Sequence, residues 1–148
     1  VKMQLTGPWQ AQNIQDVTTK GFETQLLYTF NLNSFAQKLQ FGYSFIQNDI
    51  KESTFAFSQY SLNSLKHQFV GSYNMKFLKN FTNTISYRYS ERIAGDSYSV
   101  VDLGASYTLN AFELSLCANN IFNTEYTETN LVPMPKGNLL FGVQYNFR

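Results

Sequence analysis

The chain has 148 residues with a formal net charge of +1; 14% of its residues are charged and 17% are aromatic. Soluble domains carry about 25% charged residues, so this chain lacks the Lys and Glu side chains that usually face water, and its near-neutral charge gives no electrostatic argument for binding nucleic acid. It has no run of about 18 apolar residues, which excludes a transmembrane helix, and its single cysteine excludes an intramolecular disulfide framework.

Apolar and polar residues alternate along most of the chain, which is typical of β-strands with two different faces. In the first such segment, Phe22, Leu26 and Phe30 share one face, opposite Glu23 and Gln25. The same pattern predicts seven full strands, with Val1–Thr6 as the stub of an eighth. They are Thr19–Leu32, Lys38–Asn48, Lys66–Phe77, Asn80–Arg92, Ser97–Leu109, Phe112–Ile121 and Asn138–Arg148.

The connections between these strands alternate in length. Asn33–Gln37, Leu78–Lys79 and Asn110–Ala111 are short, whereas Asp49–Leu65, Ile93–Asp96 and Phe122–Gly137 are longer. Transmembrane barrels of the outer-membrane type have short periplasmic turns and longer extracellular loops. The sequence therefore predicts an all-β fold, an antiparallel up-and-down transmembrane β-barrel segment of about seven or eight strands.

A soluble sandwich or ligand-binding barrel also has alternating strands. Several strands here reach 11 to 14 residues, which is long for a sandwich and suits a tilted strand that crosses a bilayer. The polar face consists mainly of small uncharged residues. Aromatic residues also gather near strand ends, as in the girdles of membrane barrels: Tyr28, Phe30, Tyr87, Tyr89, Tyr107, Tyr145 and Phe147.

The last third carries a recognisable series of motifs. Val101-Asp102-Leu103-Gly104-Ala105-Ser106-Tyr107 is followed by Leu114-Ser115-Leu116, by Asn119-Asn120-Ile121-Phe122-Asn123 with Tyr126 and Glu128, and by Met134-Pro135-Lys136-Gly137-Asn138. Upstream stand Asn13 and Lys20-Gly21-Phe22-Glu23, and the alternating final strand ends on Phe147 followed by Arg148. Together these motifs resemble the C-terminal barrel region of TonB-dependent outer-membrane receptors of the vitamin B12 and siderophore type.

The resemblance implies a 22-stranded barrel with an N-terminal plug inside it. Residues 1–148 would then be the C-terminal part of the barrel, with the plug domain and the TonB-contacting segment outside this sequence. The implied function is TonB-energised uptake of a scarce nutrient (siderophore-iron, haem or cobalamin) across the bacterial outer membrane. The expected partners are outer-membrane lipid, the plug and remaining strands of the same receptor, TonB and the small nutrient; neither nucleic acid nor a cofactor is expected.

Two other functions fit the same pattern. One is a complete small eight-stranded outer-membrane barrel with a structural or adhesive role. The other is a soluble lipid-binding β-barrel, which would have an apolar interior and stay monodisperse without detergent. As a piece of a larger barrel, the chain could form an open sheet, a closed smaller barrel or an intermolecular pairing, since two strand edges would lack their partners.

Side chains for catalysis or metal binding are few, and we expect no enzyme activity. His67 is the single histidine, which excludes a His-based metal cage, and Cys117 has no evident activating partner. Four charged residues lie on polar strand faces and are predicted to face the lumen. There they are either paired within a polar interior, which we favour, or form a network that braces the plug or touches substrate: Arg88, Arg92, Asp102 and Glu113.

The first long connection, Asp49–Leu65, is unusually aromatic for a loop exposed to water. Phe55, Phe57 and Tyr60 lie within it. Surface loops on a rigid scaffold often carry binding residues, so these three are predicted to contact ligand. Packing of the loop against its neighbours is the alternative explanation.

Overall fold

The computed structural model of the chain describes residues 17–50, 65–92, 97–128 and 132–147. Seven strands form one antiparallel sheet in which each strand pairs with the next in sequence. The all-β, up-and-down prediction is therefore confirmed. The strands are β1 (Val17–Leu32), β2 (Phe35–Ile50), β3 (Leu65–Leu78), β4 (Phe81–Arg92), β5 (Tyr98–Leu109), β6 (Phe112–Asn119) and β7 (Asn138–Tyr145).

The first short connection is tighter than predicted. It is a two-residue turn, Asn33-Ser34, with positive φ angles of 48° and 68°. Positive φ at both central residues gives a turn whose twist matches that of the flanking strands. As a result, β2 begins at Phe35, where the sequence pattern predicted Lys38, and β1 pairs with β2 along its whole length.

The last two strands end earlier than predicted. β6 ends at Asn119 because Asn120 has a φ of 48°, which turns the chain out of the ladder. β7 ends at Tyr145, which lies opposite Phe112, the first residue of β6. Beyond that point β7 has no further residue of β6 to pair with.

The register collects the apolar side chains on one face of the sheet. Phe41 lies between Leu26 and Gly71, and Leu103 lies between Ile85 and Ala118. Many of these side chains are exposed, to 72% at Leu139 and 71% at Phe141. We call this the apolar face.

The opposite face carries mostly hydroxyl and amide side chains, and we call it the polar face. One row across it runs from Gln40 through Ser72 and Ser86 to Asp102. Ser90 and Val100 on this face are fully buried, and Val100 is the one buried apolar side chain among the described residues. A cleft that touches five neighbouring strands also lies on this face, so the polar face is the concave one. The described part of the sheet has no conventional apolar core.

Aromatic pairs lie at both ends of the apolar face. Near the tight turns, Tyr28 stacks on Phe30 with ring centres 5.5 Å apart, and Phe112 and Tyr145 are 4.8 Å apart. A second group of aromatic pairs lies toward the longer connections: Phe22 with Tyr43, Phe45 with His67, and Phe69 with Tyr87. Aromatic side chains near both ends of the strands suit a sheet that crosses a bilayer, and Phe41 and Tyr73 add two rings between them.

The sheet is open rather than closed into a small barrel. β1 pairs only with β2 and β7 only with β6 in the described sheet. Each outer strand therefore presents one unpaired edge, which can accept a further strand. The described residues contain no helix of sufficient length and apolarity to traverse a lipid bilayer.

Candidate functional site

The concave polar face contains the best candidate for a functional site. A cleft of about 360 Å³ crosses five neighbouring strands of this face. A single cleft can touch so many strands only because the sheet curls around it. The polar side chains that line it are Gln25, Gln40, Ser72, Ser86, Arg88 and Asp102.

The four charged residues predicted to face the lumen do not form one cluster. Arg88 and Asp102 line the same cleft on neighbouring strands. Arg92 lies at the end of β4 opposite Leu65. Glu113 lies opposite Thr108 of β5. Thr108 follows Asp102 by six residues, which is about 20 Å along the strand.

Arg88 is held by residues from the connection between β6 and β7. Its Nη1 lies 3.2 Å from Glu128 Oε1, and its Nη2 donates a 3.3 Å hydrogen bond to the Tyr126 hydroxyl. The guanidinium carbon is also 5.9 Å from the centre of the Tyr126 ring, within the range of a cation–π contact. This charge is thus compensated inside the protein.

Tyr98 completes the group around Arg88. The Tyr98 hydroxyl donates to Glu128 Oε1 over 3.0 Å, and its ring stacks on Tyr126 with centres 4.4 Å apart. Sequence reasoning favoured internal pairing for Arg88 but did not identify its partners. Tyr126 and Glu128 were visible only as the tail of a motif, because nothing in a linear pattern places a loop over a strand.

Asp102 has a structural partner as well. Its Oδ1 accepts a 2.7 Å hydrogen bond from the backbone N–H of Asn120, where the chain leaves β6. The Asn120 side chain is 3% exposed and spans the base of the loop. Its Nδ2 donates to the carbonyls of Thr124 and Pro135, and its Oδ1 accepts from the Thr124 N–H.

The far end of the same loop is fixed by Asn123 and Gly137. Asn123 Oδ1 accepts a 2.8 Å hydrogen bond from the Gly137 N–H. A Cβ at Gly137 would lie 2.8 Å from the Asn120 carbonyl oxygen, so no other residue fits without moving the backbone. The asparagines and the glycine of the motif therefore close a loop and need no ligand to explain them.

An exposed ion pair joins the two sides of this loop. Lys136 Nζ lies 2.5 Å from Glu125 Oε1. The hydrogen bond and the positive charge of Lys136 lower the pKa of Glu125 below its usual value. A lowered pKa means that the contribution of the pair is present at neutral pH and is lost as the pH falls through the folded-state pKa of Glu125.

The remaining candidates show no arrangement for catalysis. His67 lies on the apolar face, and its Nδ1 is 2.7 Å from the Tyr43 hydroxyl. Cys117 is exposed on the polar face between Gly104 and Leu140. No group of three or more His, Cys, Asp or Glu that could hold a metal ion is found in the part of the chain that the structure describes. The predicted ligand-contact residues Phe55, Phe57 and Tyr60 lie outside that part.

Comparison with known proteins agrees with this geometry. The family model described as "TonB dependent receptor-like, beta-barrel" matches residues 3–123. Neither a curated protein nor a solved structure matches the chain significantly. The family match covers the whole of strands β1 to β6 and ends at Asn123, inside the asparagine-fixed loop. The chain belongs to the TonB-dependent receptor-like β-barrel family.

Proposed function

We propose that this chain forms seven strands of the barrel wall of an outer-membrane receptor that imports a scarce nutrient with energy relayed by TonB. The supporting observation is the family match together with an open sheet that is apolar on its exposed convex face and polar on its concave face. Membership of the family implies a location in the outer membrane and a role in transport.

The distribution of side chains supports a transporter wall over a soluble lipid-binding barrel. A soluble barrel that binds lipid turns its apolar residues inward, whereas here Leu26, Leu116 and Phe141 are 59%, 48% and 71% exposed on the convex side. Lipid would cover this face, since burying such residues in hydrocarbon is favourable. Hydroxyl and amide groups would then line an aqueous lumen.

The open edges support a larger barrel. In the described sheet, β1 and β7 each have one side without a partner strand. An unpaired strand edge inside a bilayer leaves backbone N–H and C=O groups without hydrogen-bond partners. Additional strands of the same receptor would satisfy those groups. In the proposed receptor a plug occupies the lumen and an N-terminal segment contacts TonB.

Uptake by the full receptor tests this proposal. Cells that lack the receptor gene would be compared with cells that carry it, with and without TonB, for accumulation of labelled siderophore-iron, haem and cobalamin. Accumulation of one nutrient that requires both the receptor and TonB is the expected result. Unchanged accumulation of all three, together with a reading frame that begins with a signal peptide just before Val1, would favour a small independent barrel instead.

Within this function, the aromatic residues of the first long connection are proposed to contact the nutrient. Changing Phe55, Phe57 and Tyr60 to alanine in the full receptor should weaken binding of the imported nutrient at least severalfold, because aromatic side chains often dominate binding energy. Isothermal calorimetry of the purified receptor measures this. An affinity equal to that of the unchanged receptor would remove these residues from the binding site.

A further inference from the structure

Two lysines stand close together at the tight-turn end of the polar face. Lys38 lies on β2 opposite Asn74 of β3, and Lys76 follows two residues later on β3. Residues related in this diagonal way lie about 7–8 Å apart, with their Cβ atoms somewhat closer. Both lysines line one cleft of about 470 Å³, together with Thr29, Asn31, Asn74 and Thr82.

Neither lysine has a counter-charge in the described part of the chain. The ion pairs found there join Lys66 to Glu91, Arg88 to Glu128 and Lys136 to Glu125. The strand neighbours of the two lysines are neutral: Thr29 and Asn74 lie beside Lys38, and Thr82 lies beside Lys76.

The carboxylates on the same face are distant or already engaged. Asp102 is separated from Lys38 by three strand spacings across the sheet and by two residues along the strands. The distance between the two residues is therefore about 16 Å. Asp102 also accepts the hydrogen bond from Asn120. Glu113 lies on β6, three strands from Lys76.

Both lysine side chains are half-buried on the concave face. A bound carboxylate would supply the opposite charge that both lysines lack among the described residues.

The spacing fits a peptide more closely than a single small anion. Alternate residues of an extended strand point the same way and lie about 6.6–6.8 Å apart, close to the separation expected for the two lysines. The hydroxyl and amide groups of Thr29, Asn31 and Thr82 line the cleft beside them and can bond to a peptide backbone. This cleft lies by the tight turns, at the opposite end of the sheet from the long connections.

We propose that Lys38 and Lys76 bind an extended acidic peptide segment with carboxylates at alternate positions, supplied by the polypeptide that fills the receptor lumen. This inference rests on the proposed function, since it requires a barrel with an occupied interior. It assigns to these two lysines the anchoring of that polypeptide at the tight-turn rim.

Zero-length cross-linking of the complete receptor in lipid nanodiscs tests the contact. A water-soluble carbodiimide activates a carboxylate, and an amine in contact with it then forms an isopeptide bond. Peptide mass spectrometry should find Lys38 and Lys76 joined to two acidic residues, spaced two apart, that lie outside residues 1–148. Lys79 is the matched control because it is exposed in the neighbouring tight turn, and it should give no such product.

A paired variant supplies an independent measurement. Lys38→Gln with Lys76→Gln should raise hydrogen exchange in the cross-linked acidic segment about tenfold, whereas Lys79→Gln should leave it unchanged. Cross-links from the two lysines only to residues of strands β1–β7, or no cross-links and no change in exchange, would overturn the inference. So would lysine-dependent binding of labelled inorganic phosphate without any peptide cross-link.

The uptake assay keeps the two proposals separate. A receptor that still imports its nutrient with TonB but yields none of these cross-links would contradict the lysine anchor alone. A protein without TonB-dependent uptake would contradict the proposed function.

Discussion

Asparagine accounts for most of the positive φ angles among the described residues. The non-glycine residues with positive φ among those described are four asparagines and one serine. The left-handed region is costly for most side chains, but Asn tolerates it because its short amide can bond to nearby backbone. Asn120 and Asn123 use both properties, since each has a positive φ and a side chain bonded to the loop.

The first prediction concerns Asn120. Asn120→Ala removes three side-chain hydrogen bonds at a buried position and puts a less tolerant residue at positive φ. We expect the loop to lose about 2–3 kcal/mol of stability, measured by hydrogen exchange of residues 121–128 in the full receptor.

Two controls separate the causes. Asn120→Gly keeps the backbone conformation accessible and should lose about 1 kcal/mol less. Asn119→Ala removes only an exposed hydrogen bond to Asn138 and should have a small effect. Equal losses for Asn119→Ala and Asn120→Ala would show that Asn120 does not hold the loop.

At this scale the sequence supplied the residue types but not their partners. Asn119 and Asn120 were recognisable as part of a motif. Asp102 was predicted to face the lumen and to be paired within a polar interior, but its partner, the first N–H of the loop, was not identified. The partner is 18 residues away along the chain, and only the register of β5 with β6 brings it there.

The elements are defined by two kinds of connection. The tight turns leave no room for irregular chain, so their strands pair almost to the last residue.

The first strand pair was the least accurately predicted. Gln37 looked like part of a loop because it is polar, yet it lies on the apolar face and is 1% exposed. Its Nε2 donates to the Lys76 carbonyl and its Oε1 accepts from the Tyr73 hydroxyl, which explains its burial.

The second prediction concerns the turn between β1 and β2. Ser34 has a φ of 68°, which a serine adopts at a cost and a glycine adopts freely. Ser34→Gly should therefore stabilise this hairpin by about 1 kcal/mol. Hydrogen exchange at the amides of Leu32 and Phe35 in the full receptor is the appropriate measurement.

Lys79→Gly is the matched control in a turn without a positive φ. Glycine there adds only freedom to the unfolded chain, so no stabilisation is expected. A gain of similar size at Lys79 would mean that the positive φ of Ser34 is not the cause.

The whole molecule is a curved sheet with lipid proposed on one side and water on the other. Leu103 lies at the middle of β5 on the apolar face, and Ser106 lies on the polar face of the same strand. This contrast between faces is the basis of the proposed transport function.

The third prediction tests that contrast. In the lipid-embedded receptor, Leu103→Arg should lower the free energy of unfolding by about 2–4 kcal/mol, because a charge near mid-bilayer meets hydrocarbon. Ser106→Arg should lower it much less, since its side chain would meet water in the lumen. Urea titration of the receptor in lipid vesicles gives both values, and equal losses would contradict the assignment of the two faces.

The sequence alone determined the secondary structure, the alternation of the two faces and the order of the strands. These follow from local chemistry, because a strand has a period of two residues and a short connection forces neighbouring strands to pair antiparallel. Only the tertiary structure decided that the described sheet stays open and that Arg88 and Asp102 hold a loop. It also decided that Lys38 and Lys76 share a cleft with no carboxylate partner among the described residues. Those features depend on register and curvature, which bring together residues that are 15 to 40 positions apart and that no local pattern connects.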